Sequence, residues 1–284
     1  MILIMVLMMT IFLGGIVIGQ FEMAQQAERY VTAIYLKRQA YWKAVSGLKL
    51  VGTVLQYDDP SYDALSEAWA RPLVIPLKEG EIRIQIEDEE RYLNLNCLEN
   101  SSVEKALGRL LILTKTESIS TEEIKAWIGQ SPYLSVTVPN KNAPFDSPYE
   151  LLILGMSEKD FYGKTIAGDF YPGLGSLVTT FSNGRVNLNT APAYILMALS
   201  VKIDRTLAER LITYRRKKPL KRLEDLLQVE GFDLDILHDL RPLGTVRSEN
   251  FRVKIQVRAQ GEEGELEAII NRKQGLKIIF WRFS

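Results

Sequence analysis

Among its 284 residues the chain has a single cysteine, Cys97, and a single histidine, His238. One cysteine excludes an internal disulfide and leaves a thiolate metal cage without ligands. One histidine puts every Ser-His-Asp or Cys-His scheme on one side chain, and no G-x-S-x-G elbow accompanies it. His238 lies in Leu237-His238-Asp239-Leu240, a short helical pattern where a partly buried structural role is expected. Net charge is missing as well. The 35 Lys and Arg balance 35 Asp and Glu, so no global field draws the chain to nucleic acid or to an acidic partner. No nucleophile, base and orienting group cluster, and no Gly-rich phosphate loop follows a strand. An enzyme is not expected.

The most informative absence is local. Met1 to Phe21 holds no charged residue, and an apolar run of about 20 residues can cross a bilayer core as one helix. The run lacks the basic start and the small-residue cleavage site of a signal peptide. Its apolar face, with Ile4, Val6, Leu7, Ile11, Phe12, Leu13, Ile16 and Ile18, is expected to insert in membrane lipid and then among neighbouring helices. No proline interrupts the chain before Pro60. Met23, Ala27, Tyr30, Ile34, Tyr41, Val45, Leu48 and Leu55 continue at steps of three, four and seven, opposite Glu22, Glu28, Arg29, Lys37, Arg38 and Lys43. One helix over residues 1–56 would span roughly 85 Å. The stripe Tyr30, Ile34, Tyr41, Val45 and Leu48 is expected to pack on a sheet and on adjacent subunits. A single-pass anchor on an ordinary soluble domain and a pilin-type stalk are both open at this point.

Farther on the period changes. Glu81 to Ile86 alternates polar and apolar and predicts a half-buried strand. From about Asn94 to Leu243 the pattern is helical, in short pieces. Ser120-x-x-Glu123 is a capping box, Ser157-x-x-Asp160 a weaker relative, and Thr190 before Ala191-Pro192 opens a helix through Leu199. Asp204 and Asp233 are candidate caps for two more. Phe251 to Val257, Glu265 to Asn271 and Leu276 to Phe283 return to period two, with turns expected at Glu262-Glu263-Gly264 and Gln274-Gly275. A strand at 81–86 needs partners, and the candidates lie about 165 residues downstream. The economical solution is an α+β fold: a pilin-like long N-terminal helix packed on an antiparallel sheet, with a large all-α domain inserted after the first strand. The segments are then 1–21 for the membrane helix, 22–93 for the stalk and first strand, 94–245 for the insert and 246–284 for the closing strands. Within the insert, Leu93-Asn94-Leu95-Asn96 is echoed by Val186-Asn187-Leu188-Asn189. Either two related helical lobes or a coincidence of asparagine capping explains it.

These residues also carry a resemblance. Tyr41-Trp42, Trp69-Ala70-Arg71-Pro72, Ile86-Glu87-Asp88 with Leu93-Asn94-Leu95-Asn96, Pro148-Tyr149-Glu150-Leu151, Val186 to Pro192, and the ending from Asn250-Phe251 to Asn271-Arg272 resemble the K-type minor pseudopilin family of type II secretion (GspK), in family order over nearly the whole chain. The resemblance implies a single-pass inner-membrane protein with its bulk in the periplasm, at the tip of the pseudopilus, initiating or capping assembly. It implies I- and J-type minor pseudopilins, the major subunit and the secretion platform as partners, and prepilin peptidase if a leader exists upstream. No basic leader precedes the apolar run, so the sequence reads as a mature form or as one with a late start. Pilins resemble one another in carrying a glutamate inside the apolar helix, paired with a neighbour's terminal amine; Met1 to Phe21 has none, which suits an end position in a filament. The family also implies calcium in the helical domain. From Ile128-Gly129-Gln130-Ser131-Pro132 onward the chain offers only Asp146 and Glu150, too few carboxylates for six to eight oxygen ligands, so no metal ligand is assigned. Asp58-Asp59 and Glu87-Asp88-Glu89-Glu90 are expected to be solvated turn charges.

The rival reading is DNA binding. Residues about 186–243 resemble the helix-hairpin-helix module of membrane-anchored competence-type DNA receptors, with a basic cluster of Arg215, Arg216, Lys217, Lys218, Lys221 and Arg222. Such a patch suits phosphates. The module, however, needs a Gly-x-Gly turn whose amides approach the phosphate, and this chain has Ser200-Val201-Lys202-Ile203-Asp204 there. The cluster is therefore expected to be a solvated helix end or a protein-partner surface, and nucleic acid is not an expected partner.

Overall fold

The computed structural model of the protein describes residues 1–131, 139–259, 261–273 and 275–284. One unbroken helix, α1 (Ile2–Tyr57), opens the chain. Its 56 residues extend about 84 Å at 1.5 Å per residue. Nothing in it is buried before Ala40; from there Ala40, Ala44, Gly47, Leu48, Val51 and Leu55 face inward. Three of those six are Ala or Gly, which lets the helix lie close on a sheet. A Cβ on Gly47 would stand 3.3 Å from the side chains of both Ile84 and Ile255.

The sheet is a five-stranded antiparallel meander of β1 (Leu73–Leu77), β2 (Gly80–Asp88), β3 (Asn250–Ala259), β4 (Glu262–Asn271) and β5 (Lys277–Phe283), in that spatial order. Register places Ile82, Ile84 and Ile86 opposite Val257, Ile255 and Val253, so one face of β2 and β3 is continuously aliphatic. It packs with Leu266, Ala268 and Ile270 of β4 against α1. Trp69, from the segment between α1 and β1, seals the end with its ring edge-on to Phe251 at 5.2 Å. The expected strand at 81–86 is β2, and it has a hairpin partner that the pattern concealed. Leu73-Val74-Ile75-Pro76-Leu77 does not alternate and contains proline, which sheets accept at an edge. The insert therefore follows the second strand. Glu262, Glu263 and Gly264 lie within β4, and the turn before them falls at Gly261, whose φ is +83°. Gly275 does turn the chain, at φ +73°; Gln274 lies outside the described residues.

Between β2 and β3 stand seven helices among the described residues: α2 (Ser101–Leu113), α3 (Thr121–Trp127), α4 (Glu150–Ile153), α5 (Glu158–Tyr162), α6 (Ala193–Leu199), α7 (Arg205–Lys217) and α8 (Leu234–Leu240). They enclose a second apolar core, separate from that under α1. The Ser120 capping box forms with both arms. Asp204 and Asp233 accept bonds from Leu207 N and Ile236 N at 2.7 and 2.8 Å. Thr190 does not cap: α6 starts at Ala193, and the Thr190 hydroxyl donates to Asp88 instead. A small hairpin, Gly163–Ile166 with Asp169–Pro172, interrupts the helices. It turns on Ala167 and Gly168, both at positive φ, a turn with a weak sequence signature.

The N-L-N echo is repeated geometry. Each copy begins a two-residue parallel bridge, Leu93-Asn94 with Val178-Thr179 and Val186-Asn187 with Gly244-Thr245. In each, the first asparagine accepts from the amide two residues on, at 2.8 and 3.0 Å. The second asparagine then clamps a distant backbone unit from both sides: Asn96 holds Phe145, and Asn189 holds Leu220, with all four bonds between 2.7 and 3.0 Å. Arg109 of α2 joins the lobes by donating to Ala198 and Leu199 carbonyls at the end of α6.

Candidate functional site

Three features are candidates for function: the exposed part of α1, the seam joining the helical module to the sheet, and the hairpin lobe at 186–243.

Along α1 the expected membrane and assembly residues Ile4, Val6, Leu7, Ile11, Phe12, Leu13, Ile16 and Ile18 are all exposed, and the helix is long and apolar enough to span a bilayer. The stalk stripe divides. Leu48 is buried, and Tyr41 and Val45 are half-buried against the sheet. Tyr30 and Ile34 lie beyond it and are exposed. Tyr41 gathers Trp42, Trp281 and Phe283 around it, at ring separations of 5.2, 6.1 and 5.4 Å. Trp42 and Trp281 are more than half exposed, so α1 and edge strand β5 present an aromatic patch together.

The seam corrects the expectation of solvated acids. Asp88, Glu89 and Glu90 are almost wholly buried, and their carboxylates bind the module to the sheet. Asp88 takes Asn187 Nδ2 at 3.0 Å and the Thr190 hydroxyl at 2.5 Å. Glu89 accepts from the Thr179 hydroxyl and from Arg252 Nε. Glu90 accepts from the amides of Asn183, Glu249 and Asn250 and from Asn250 Nδ2. Burial, and then the Asp88 charge, pushes the Glu90 carboxyl up to about 8. Burial raises Asp63 to about 7, against the pull of Arg272. Asp58 is no free turn charge either, since Arg272 pairs with it at 3.0 Å and with Asp63 at 2.6 Å. The sequence runs Glu-Asp-Glu-Glu like a surface turn, and only the opposing Asn183, Asn187, Thr190 and Asn250 reveal the burial.

Neither acidic group suits calcium. Asp58, Asp63 and Glu67 converge within 4.8 Å, but the Arg272 guanidinium supplies the cation there. Asp146 and Glu150 converge on the Lys141 ammonium, at 2.8 and 3.0 Å, and Glu150 also accepts from Trp127 Nε1. An internal ammonium sits between these two carboxylates, and among the described residues their remaining oxygens are fewer than the six to eight of a calcium shell. Pro132 lies outside the described residues. Cys97 is a free, half-buried thiol, which burial pushes up. His238 is exposed on α8, contrary to the partly buried role expected.

In the hairpin lobe, α6 and α7 are joined by Ser200 to Asp204. The Asp204 carboxylate is committed to capping α7, and the Ser200 hydroxyl donates to Asp239 at 2.8 Å. Lys202 lies 3.7 Å from both Asp235 and Asp239. The turn is thus ringed by carboxylates. The basic cluster sits elsewhere, because Arg216, Lys217 and Lys218 end α7, about 18 Å of helix from the turn. They and Lys221 and Arg222 are exposed. Arg215 is not part of that surface. It is buried, and its guanidinium donates to the carbonyls of Leu188 and Ala191; burial, with the nearby Arg91 and Arg216 charges, brings it down to about 10.

Comparison with known proteins agrees with this geometry. Residues 182–243 match the helix-hairpin-helix motif family. No curated protein matches the chain in sequence. Among solved structures it is similar to a chain of the GspK-GspI-GspJ complex of the type 2 secretion system of enterotoxigenic Escherichia coli, with a TM-score of 0.62 at 18% identity, over 92% of this chain and 99% of that one. The fold is shared. At that identity the likeness speaks for the pilin-like architecture with its inserted helices.

Proposed function

We propose that this protein is a K-type minor pseudopilin at the tip of a type II secretion pseudopilus, initiating or capping its assembly for protein export across the outer membrane. The observation that carries the reading is a pilin-like domain, interrupted by a helical module, on a helix whose apolar segment Met1 to Phe21 has no acidic residue. A carboxylate inside a membrane helix is costly unless paired, so pilins that carry one gain a contact with a neighbour. A subunit without it is suited to a filament end. In this reading α1 is a single-pass anchor in the inner membrane, and the bulk of the chain is periplasmic. The aromatic patch of Trp42 and Trp281 beside exposed Tyr30 and Ile34 meets the I- and J-type minor pseudopilins, with the major subunit and the secretion platform below. The helical module faces outward, and the seam fixes its orientation on the stalk.

The competence-type DNA reading has the hairpin motif in its favour and the electrostatics of the turn against it. Backbone amides that would cradle phosphate are next to Asp204, Asp235 and Asp239; Lys202 in the turn is paired with Asp235 and Asp239 and Arg205 with Glu209, and the basic cluster stands at the other end of α7. Co-purification of the full chain in detergent with the I- and J-type minor pseudopilins of the same cell tests the proposal. A stoichiometric complex is expected. No complex, together with salt-sensitive DNA retention abolished by charge reversal at Arg216 and Lys218, would overturn it in favour of DNA binding.

A further inference from the structure

A cleft of about 700 Å³ opens beside the hairpin at 163–172, between the two helical lobes. Tyr92, Phe170, Tyr171 and Tyr194 form its aromatic walls, with Arg91 and Arg205 as its cations and Asp169 as its acid, and Arg205 is already paired with Glu209 at 3.0 Å. Arg91 is the unusual member. Its three acidic predecessors, Asp88, Glu89 and Glu90, are turned into the seam and occupied there, so none reaches it. Its Nε is one of two buried side-chain polar atoms without a hydrogen-bond partner among the described residues. Its only protein contact of note is the Tyr92 ring, 5.2 Å from the guanidinium. Arg215 adds a second nearby cation that is bonded only to carbonyl oxygens. A half-buried guanidinium whose Nε is buried without a partner has bonds to offer an anion, and carboxylate bonds to arginine are among the strongest available.

The shape indicates how large the anion's carrier is. Tyr92 and Ser176 also line a second groove of similar volume, which continues between the module and the outer face of the sheet to Phe181 and Phe280. The two grooves adjoin at Tyr92 and Ser176. The second groove holds Glu87, Asp146, Glu265 and Glu267 against Arg252, Lys254 and Arg282. Four carboxylates against three cations disfavour a polyanion charged at every unit, such as a phosphate backbone, and a polypeptide with a single carboxylate suits the groove better. We propose that this cleft binds an extended peptide segment carrying an aromatic residue beside an acidic one, with the carboxylate on Arg91 and the ring among Tyr92, Phe170 and Tyr194. The proposal stands whether or not the protein works in secretion.

Titration calorimetry on the full chain in detergent tests it with a seven-residue probe, Gly-Ser-Phe-Asp-Phe-Ser-Gly, capped at both ends, and its Asn twin. The Asp peptide is expected to bind about tenfold tighter than the Asn peptide. Arg91→Met should erase that difference and Arg91→Lys restore part of it, while Tyr194→Ser should weaken both peptides alike. No heat at millimolar peptide, equal affinity of the two peptides for the unaltered protein, or displacement of the peptide by a ten-nucleotide oligothymidylate would each overturn it. The comparison of the two peptides needs no variant, so misfolding of Arg91→Met does not blunt the test.

Discussion

The buried charges of the seam set both the stability of the protein and its response to pH. Arg272 is the one cation on Asp58 and Asp63. Removing one partner of a buried pair leaves an uncompensated charge, at a cost of about 3–5 kcal/mol. Arg272→Met should lower the free energy of unfolding by that amount in urea titrations, and a loss under about 1 kcal/mol would show that the pair is solvated. Carboxyl groups titrate near 4 in an unfolded chain, whereas Asp63 and Glu90 are raised to about 7 and 8 in the folded one. Between those values the folded state holds more protons, so stability is greatest at the acidic end of the window and falls as pH rises from about 4 to 8. Asp160 acts in the opposite sense at lower pH. Burial raises it, but the Lys164 ammonium and the bonds from Ser118 outweigh burial and bring it down to about 2, so its contribution fades only as pH falls below about 4. Urea midpoints at pH 5 and 8 should differ in favour of pH 5, and Glu90→Gln should flatten the slope; a rise toward pH 8 would contradict this. Residue chemistry was the least legible part of the sequence. Nothing local marks Glu89 as buried and Glu87 as half-exposed, or Arg215 as buried and Arg216 as exposed, because those differences are made by partners 90 and 163 residues away for Glu89 and 24 to 27 residues away for Arg215.

Elements were far more legible, for a physical reason. Strands β2 and β3 alternate because one face of each meets α1, and α7 and α8 begin where an aspartate can accept their free amides. Where the local rule competes with a distant partner, the sequence misleads: Thr190 is a good cap that bonds Asp88, and Pro76 hides an edge strand. Helix α1 approaches the sheet through Gly47, where a side chain meets Ile84 and Ile255 at 3.3 Å. Gly47→Val should cost about 1–3 kcal/mol through overpacking, read as a lower thermal midpoint; an unchanged midpoint would mean that the helix rides higher on the sheet than described. The asparagine clamps make a comparable prediction for the module. Asn189→Ala strands the Leu220 amide and carbonyl, each worth about 1–3 kcal/mol when buried unpaired. Protection of amides in 186–243 from hydrogen exchange should then fall while β3 stays protected. Equal loss in both regions would show that the two cores unfold as one.

At the scale of the whole molecule, the long stalk, four of the five strands and the inserted helices were readable from period and spacing, because each buries a continuous apolar face. The binding chemistry of the surface was not, since exposure leaves no periodic trace. Lys141 pairs with both Asp146 and Glu150, so millimolar calcium or a chelator should leave the melting temperature unchanged within about 1 °C. A calcium-dependent rise of several degrees would indicate ligands that this arrangement does not supply. The central claim concerns position in a filament. It is tested most directly by immunogold electron microscopy of pseudopili assembled in cells that carry an epitope on the exposed surface of α8. The tip reading predicts label at one end of each filament, and gold distributed along the shaft, or absent from filaments altogether, would contradict it.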